Sequence, residues 1–221
     1  MGKLKTALLA GMVAALGAMS SANAAPITGT FQITVYQGHG AGDINEADQQ
    51  AQQGNPFITD ANKLASGSYT GAIDFNANGV NDIAAFLGSS FGTLGGTLAG
   101  LSETQLSSAP FDLTTVFVIT GDVGSSSLFG SITHDDGASL YDGAGYSNLV
   151  VGSALPTVEI NTLYSNLTGQ FQLIFVQANG LPSVLKLDVD RTVNAPEPIT
   201  LSLFGAGLAG LGAMRRRRKA A

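Results

Sequence analysis

The segment QFQLIFVQANGLPSVLKLDVD, residues 170–190, carries the strongest strand pattern in this chain. Its two runs, 170–177 and 183–190, have the length of strands and are rich in Val, Ile, Leu and Phe. The connecting residues, Ala178-Asn179-Gly180-Leu181-Pro182, contain the Asn-Gly and proline chemistry of a turn. We therefore predict two strands joined as a hairpin.

Strand patterns recur along the rest of the central sequence. In 30–37, Phe31, Ile33 and Val35 alternate with polar residues, which is typical of a half-buried strand. Further strands are predicted at 68–75, 111–120 and 157–163, and on both sides of an acidic loop within 129–143. This density of short strands favours an all-β fold, an antiparallel β-sandwich or barrel.

Helix signals are scarce in the same region. One helix is predicted at 43–54, capped by Asp43 or Asn45 and ended by Gly54, and a second at 81–90. The glycine-rich segment 88–100 has little periodicity, and we predict a loop there.

The first 24 residues have the three parts of a secretory signal. Lys3 and Lys5 precede an apolar run at 8–18, and small residues end the segment at Ala24 and Ala25, where cleavage is predicted. A permanent membrane anchor is the alternative, but the apolar run is shorter than the ~20 residues that a span needs. The protein is therefore expected to be exported, with a domain at 25–194.

The predicted domain is strongly acidic. Of the 16 acidic residues only Glu197 lies beyond residue 194, and of the 10 basic residues only Lys63, Lys186 and Arg191 lie within 25–194, a formal charge of −12. Such a surface repels nucleic acid and suits a cation or a neutral partner such as a polysaccharide, although it also serves solubility alone. The chain has no cysteine, so disulfides cannot stabilise it.

The C-terminal segment, 195–221, has three consecutive parts. Pro196, Glu197 and Pro198 form an extended motif, and the apolar residues 199–214 follow, predicted as a transmembrane helix about 24 Å long. A basic stop-transfer cluster then holds the C-terminus in the cytoplasm: Arg215, Arg216, Arg217, Arg218 and Lys219.

This ordered triple resembles the PEP-CTERM sorting signal of Gram-negative, biofilm-forming bacteria. The resemblance implies transient anchoring in the inner membrane, cleavage near the motif by an exosortase, and delivery to the cell surface or extracellular matrix. Such proteins typically accompany exopolysaccharide systems. A plain tail anchor is the alternative.

The motif that offers the clearest candidate ligand groups is FGSITHDDGASLYDG, residues 129–143. Asp135 and Asp136 repel each other unless they are solvated or bridged by a cation, and paired carboxylates on a tight loop suit Ca²⁺. Gly137 allows a positive φ or a close backbone approach. The alternative is an ordinary acidic hairpin turn.

The stretch 129–190 resembles the β-barrel of protective-antigen-type sugar-binding modules, which carry D-D-G between apolar strands and a later D-G. The resemblance implies that Asp135 and Asp136, joined by a cis peptide bond, bind Ca²⁺, and that the ion coordinates sugar hydroxyls. Asp142 would belong to a structural turn. The further loop ligand of that family has no match here.

Two other candidate sites are weaker. The segment 74–82 follows the start of an EF-hand loop, but Ala85 stands where a bidentate acid is needed, so a strand ending in an Asn-Gly turn is favoured. His134 and His39 have no partners in a catalytic pattern, and His134 is predicted to be a strand residue at the edge of the loop.

These observations leave three functions. The first is a non-enzymatic, calcium-dependent carbohydrate-binding module, and the second is a structural matrix protein without a specific ligand. The third is an extracellular polysaccharide hydrolase, which is disfavoured because adjacent carboxylates rarely flank one glycosidic bond.

Overall fold

The computed structural model describes residues 24–40 and 42–190, and nearly all of its regular structure is β-strand. The elements are β1 (Ala24–Pro26), β2 (Thr28–His39), β3 (Lys63–Ala72), β4 (Asp74–Asn76), α1 (Ile83–Gly88), β5 (Thr93–Leu94), β6 (Leu113–Asp122), β7 (Leu128–Asp135), β8 (Gly137–Asp142), β9 (Asn148–Ser153), β10 (Ile160–Leu167), β11 (Gln170–Gln177) and β12 (Val184–Asp190).

The strands form two antiparallel sheets. The smaller sheet has the order β1-β12-β7-β10, with β4 also paired to β12, and the larger sheet has the order β5-β3-β2-β6-β11-β8-β9. Apolar side chains from both sheets share one core, so the all-β sandwich prediction is confirmed. Phe86 of α1 closes this core against Phe117 and Phe175, with ring centroids 5.4 and 5.7 Å away.

The predicted hairpin at 170–190 is wrong, although both of its strands are present. β11 pairs with β6 on one side and β8 on the other, so neither of its hydrogen-bonding edges is left for β12. β12 instead joins the smaller sheet beside β7. The connecting residues 178–183 therefore cross from one sheet to the other.

The Asp135-Asp136-Gly137 link is a second crossing between the sheets. β7 belongs to the smaller sheet and β8 to the larger one, so the two strands do not pair as an acidic hairpin would. Gly137 permits this crossing because a Cβ there would lie 2.2 Å from the carbonyl oxygen of Ala154. The predicted close backbone approach at Gly137 is thus observed.

The predicted helix at 43–54 is also wrong, since only a single 3-10 turn, Ala47–Gln49, forms there. The segment instead packs on the outer face of the larger sheet through buried polar side chains. Gln49 accepts a hydrogen bond from the Thr114 hydroxyl (2.7 Å), and Asn55 bonds the backbone carbonyls of Asp48 and Gln50 (3.0 and 2.8 Å). The Thr114 bond joins the segment to the sheet, and the two Asn55 bonds close a local turn, so together they replace the bonds that a helix would supply.

The helix predicted within 81–90 is confirmed as α1. Asp82 caps it by accepting a hydrogen bond from the backbone N–H of Ala85 (2.8 Å). The predicted loop at 88–100 contains the short strand β5 and a 3-10 turn, Gly96–Gly100.

The segments 1–23 and 191–221 lie outside the described residues. They include the predicted signal peptide up to Asn23, the Pro196-Glu197-Pro198 motif, the predicted helix at 199–214 and the basic cluster. No helix in the described part of the chain is long and apolar enough to cross a membrane.

Candidate functional site

Asp135 and Asp136 lie at the base of an open cleft of about 370 Å³, where their residues are only 6% and 4% exposed. Four loops form its walls, namely the loop after β2, the loop before β6, the loop between β9 and β10, and the crossing between β11 and β12. The other lining residues are Ile44, Phe111, Pro156, Thr157, Val158, Asn179, Leu181 and Pro182. The two sheet crossings thus bring the D-D-G motif and the Asn-Gly turn to one site.

Backbone amides hold the Asp136 carboxylate in place. Its Oδ2 accepts hydrogen bonds from the N–H groups of Ala178 (2.8 Å) and Asn179 (3.1 Å). The Thr157 amide bonds the same carboxylate. The peptide bond between Asp135 and Asp136 is cis, as the resemblance to the sugar-binding modules implies. Asp136 therefore ties the D-D-G link to the crossing between β11 and β12.

Burial raises the pKa of both carboxyls above the ordinary value of 3.8. For Asp135 the pKa rises to about 6, because burial is reinforced by the negative charges of Asp136 and Glu159 and opposed only by the Glu159 amide. For Asp136 the amides of Ala178, Asn179 and Thr157 oppose the effect of burial, and the direction remains upward. Negative charge at the base of the cleft is thus poorly compensated by the protein itself.

No lysine or arginine side chain of the described residues lines this cleft. Lys186 pairs with Asp188 instead, with its Nζ 3.2 Å from that carboxylate. A bound cation would therefore relieve a repulsion that the described side chains leave unrelieved.

His134 is fully buried beneath the pair and has no access to the cleft. Its Nδ1 lies 2.6 Å from the backbone carbonyl of Asp136, which fixes this nitrogen as the donor, and its Nε2 lies 3.0 Å from the Thr162 hydroxyl. Burial lowers the pKa of His134, so the ring is neutral at physiological pH. His134 is thus a strand residue that supports the loop, as the sequence predicts.

Two buried side chains position the 178–183 crossing. The Ser107 hydroxyl accepts from the Gly180 N–H (3.0 Å) and donates to the Gly180 carbonyl (3.2 Å). Gln177 donates to the carbonyls of Gly180 and Pro182. Sequence reasoning missed Ser107, because it lies 73 positions from Gly180 and no local pattern connects the two residues. It treated Gln177 only as the last residue of a strand.

Asp142, the second aspartate before a glycine, lies outside the cleft. Its carboxylate accepts from the Asn148 side chain (2.6 Å) and from the Thr168 N–H (3.1 Å). It therefore ties the turn after β8 to the turn between β10 and β11, which is the structural role that the resemblance implies.

The acidic segment 74–82 forms a turn of its own. Asn78 and Gly79 have φ of 50° and 80°, the Asn76 side chain accepts from the Asn78 N–H (2.8 Å), and Asp82 caps α1. The favoured interpretation, a strand ending in an Asn-Gly turn, is thus confirmed. His39 lies on the surface, with its Nδ1 3.1 Å from an Asp112 oxygen.

The donors at the cleft fit a hard, oxygen-binding cation. Asn179, whose side chain carries an amide oxygen, lines the cleft together with Asp135 and Asp136. Within the described ranges, no three His, Asp or Glu side chains form a closed metal cluster. A cation here would thus take its other oxygens from backbone carbonyls, water or a ligand.

Comparison with known proteins finds a match in the C-terminal tail. Residues 194–218 match the PEP-CTERM protein-sorting motif, which is the recognition signal for exosortase processing. The motif indicates an exported protein that crosses the membrane and is processed to the cell surface. The matched range contains the predicted Pro196-Glu197-Pro198 motif.

A search of curated proteins gave no match. The similar solved structures include the crystal structure of the PA14 domain of the MpAFP antifreeze protein. It is 13% identical with a TM-score of 0.45, and the alignment covers 76% of this chain and 84% of that one.

Proposed function

We propose that the exported domain is a non-enzymatic module that binds carbohydrate through a calcium ion held by Asp135 and Asp136. The observation that carries this proposal is the pair of buried, adjacent carboxylates at the base of an open cleft that no basic side chain of the described residues lines. A divalent cation there offsets the repulsion between the two charges.

The residues that would hold the ion are Asp135, Asp136 and Asn179, all oxygen donors of the kind that Ca²⁺ prefers. When bound, the ion supplies open coordination positions for a pair of sugar hydroxyls. Asp136 is oriented for this task by the amides of Ala178 and Asn179, and His134 holds the backbone carbonyl of Asp136, on the Gly137 side of the pair.

Hydrolysis is a poorer interpretation of the same cleft. The two carboxylates are adjacent in sequence, whereas glycosidases place theirs about 5 Å or more apart on two sides of the bond. The buried imidazole of His134 is engaged with Asp136 and Thr162.

Thermal unfolding of the purified exported protein, in excess calcium and then in chelator, tests the proposal. Calcium at 100 times its Kd adds about 2.7 kcal/mol of stability. For a domain of this size we expect the Tm to rise by roughly 5–10 °C. The Asp135→Asn variant should lose this shift.

Asp122→Asn is the matched control, because Asp122 is an exposed acid opposite Gln170, at the end of β11 remote from the cleft. This variant should keep the full calcium shift. If the unaltered protein shows no shift, the calcium site does not exist, and a matrix protein without a specific ligand becomes the better interpretation.

A further inference from the structure

The upper part of the cleft is apolar, in contrast to its acidic base. Ile44, Val158 and Leu181 come from three different loops, yet all three line the same cleft, and they are 36%, 77% and 38% exposed. We call these three residues the apolar rim. Isolated exposed apolar residues are ordinary on a protein surface, but three that surround one acidic pair mark a binding site.

The charge of the domain restricts what this rim can meet. No lysine or arginine of the described residues lines the cleft, and acidic groups dominate the domain. An anionic substituent outside the reach of the ion would therefore meet no compensating side chain. A ligand that fits the cleft is therefore uncharged where it contacts the apolar rim.

Hydroxyl groups at the rim are disfavoured for a related reason. The polar side chains that line the cleft are Asp135, Asp136, Thr157 and Asn179, and the ion and the loop contacts engage most of them. A sugar hydroxyl placed against Ile44 or Val158 would lose water without gaining a partner. A methyl or acetyl group at the same place would bury apolar surface instead.

We infer that the cleft selects a neutral sugar that carries an apolar substituent, a deoxy methyl or an acetyl group, beside the pair of hydroxyls that faces the ion. This inference rests on the proposed calcium site and names the class of carbohydrate that the site takes. Burying one additional methyl group is worth about 0.8 kcal/mol, which corresponds to about a fourfold gain in affinity.

Calorimetric titration of the calcium-loaded, exported protein tests the inference with two matched pairs of sugars. The first pair is methyl 6-deoxyglucoside and methyl glucoside, and the second is N-acetylglucosamine and glucose. We expect the substituted sugar to bind at least about fourfold more tightly in one pair or both. Equal or weaker binding of both substituted sugars would overturn the inference.

Variants of the apolar rim test whether it is the source of a preference for the substituted sugar. The double variant Ile44→Thr/Val158→Thr replaces two exposed apolar side chains with polar ones that are no larger. The fold and the calcium affinity should be retained, because both side chains are exposed and neither is a proposed ligand of the ion. The preference for the substituted sugar should fall towards equal binding. Val80→Thr is the control, because Val80 is 52% exposed in the turn before α1 and does not line the cleft.

Calcium titration separates this inference from the proposed function. A protein that binds no calcium contradicts the proposed function and, with it, the inference. A protein that binds calcium and both sugars of each pair equally contradicts the inference alone. A preference that survives in the double variant also contradicts it, because the rim would not be its source.

Discussion

The three aspartates of the D-D-G and D-G motifs differ in what surrounds their carboxylates. Asp142 accepts hydrogen bonds from Asn148 and Thr168, and both donors lie outside the strand that contains Asp142. Asp135 and Asp136 line a cleft, and burial raises the pKa of both carboxyls. Similar local sequences thus produce one carboxylate that joins two turns and two carboxylates that line a cleft.

Replacement of Asp142 should therefore affect stability and leave calcium binding intact. Asp142→Ala removes the acceptor of several hydrogen bonds in a residue that is 3% exposed, so we expect the free energy of unfolding to fall by about 1–3 kcal/mol. Denaturant unfolding measures this loss, and calcium titration of the folded variant should give the Kd of the unaltered protein. A large loss of calcium affinity would place Asp142 in the site and contradict this assignment.

The raised pKa of Asp135 predicts a pH dependence of the metal-free protein. Because the folded pKa of about 6 exceeds the ordinary 3.8, the contribution of Asp135 to stability is fully present below pH 3.8 and is lost as pH rises through about 6. Between pH 5 and 7.5 the protein should lose about 1 kcal/mol relative to the Asp135→Asn variant.

Denaturant unfolding of both proteins in chelator, across this pH range, measures that difference. His134, whose lowered pKa acts in the opposite direction, is present in both proteins and cancels from the comparison. Parallel pH profiles would show that the Asp135 carboxyl is not perturbed.

At the scale of elements, the cleft depends on the crossing at 178–183. This segment supplies Asn179 and the amides that orient Asp136, and it is itself held by Ser107 and Gln177. The position of the crossing is thus set in part by the hydrogen bonds between Ser107 and Gly180, which are far apart in the chain.

Ser107→Ala should weaken calcium binding, because the crossing loses both bonds that Gly180 makes to the Ser107 hydroxyl. We expect the calcium Kd to rise about tenfold, equivalent to the roughly 1.4 kcal/mol that such bonds contribute. Calorimetry well below the Tm measures this effect on folded protein, and Ser107→Thr should restore most of the affinity.

Ser89→Ala is the matched control for loss of a bridging hydroxyl. Ser89 accepts from the Asn76 N–H (2.8 Å) and donates to the Phe86 carbonyl (2.7 Å), and it does not line the cleft. It should lower stability to a similar extent without changing the calcium Kd. If both variants weaken calcium binding equally, Ser107 acts on the fold and not on the site.

At the scale of the whole molecule, two parts of the chain have separate tasks. The compact unit Ala24–Asp190 contains the cleft, and the tail that follows contains the sorting motif at 194–218.

Replacement of Pro196, Glu197 and Pro198 by alanine should block exosortase processing, because the recognition motif is removed. The unprocessed protein should keep its basic tail and remain with the membrane fraction, which immunoblotting of fractionated cells would show. Thr192→Ala, a change just outside the matched residues, should be processed normally. Release of the triple variant at the usual size would contradict the role of this motif.

Strand identity followed from local pattern to a large extent. The predicted strand at 170–177 coincides with β11, and the strand predicted at 30–37 lies within β2. The partner of each strand could not be predicted from the local pattern, because pairing depends on which hydrogen-bonding edges are already occupied by other strands. β11 and β12 are separated by a short turn-like segment, but β6 and β8 occupy both edges of β11.

The segment 43–54 shows the same limit for a helix. Its polar composition and capping residues favour a helix, yet Gln49 forms a buried hydrogen bond with Thr114 that is made only when the segment lies on the larger sheet. Tertiary hydrogen bonds to a buried amide outweigh a weak helical preference.

The sequence alone determined the strand-rich composition, the acidity of the domain, the adjacent aspartates and the sorting motif, because each depends on residues close together in the chain. Only the tertiary structure decided that Asp136 meets the 178–183 crossing, that Ser107 holds this crossing, and that an apolar rim surrounds the acidic pair. These features join residues from separate loops, and their proximity is set by the packing of two sheets around a common core.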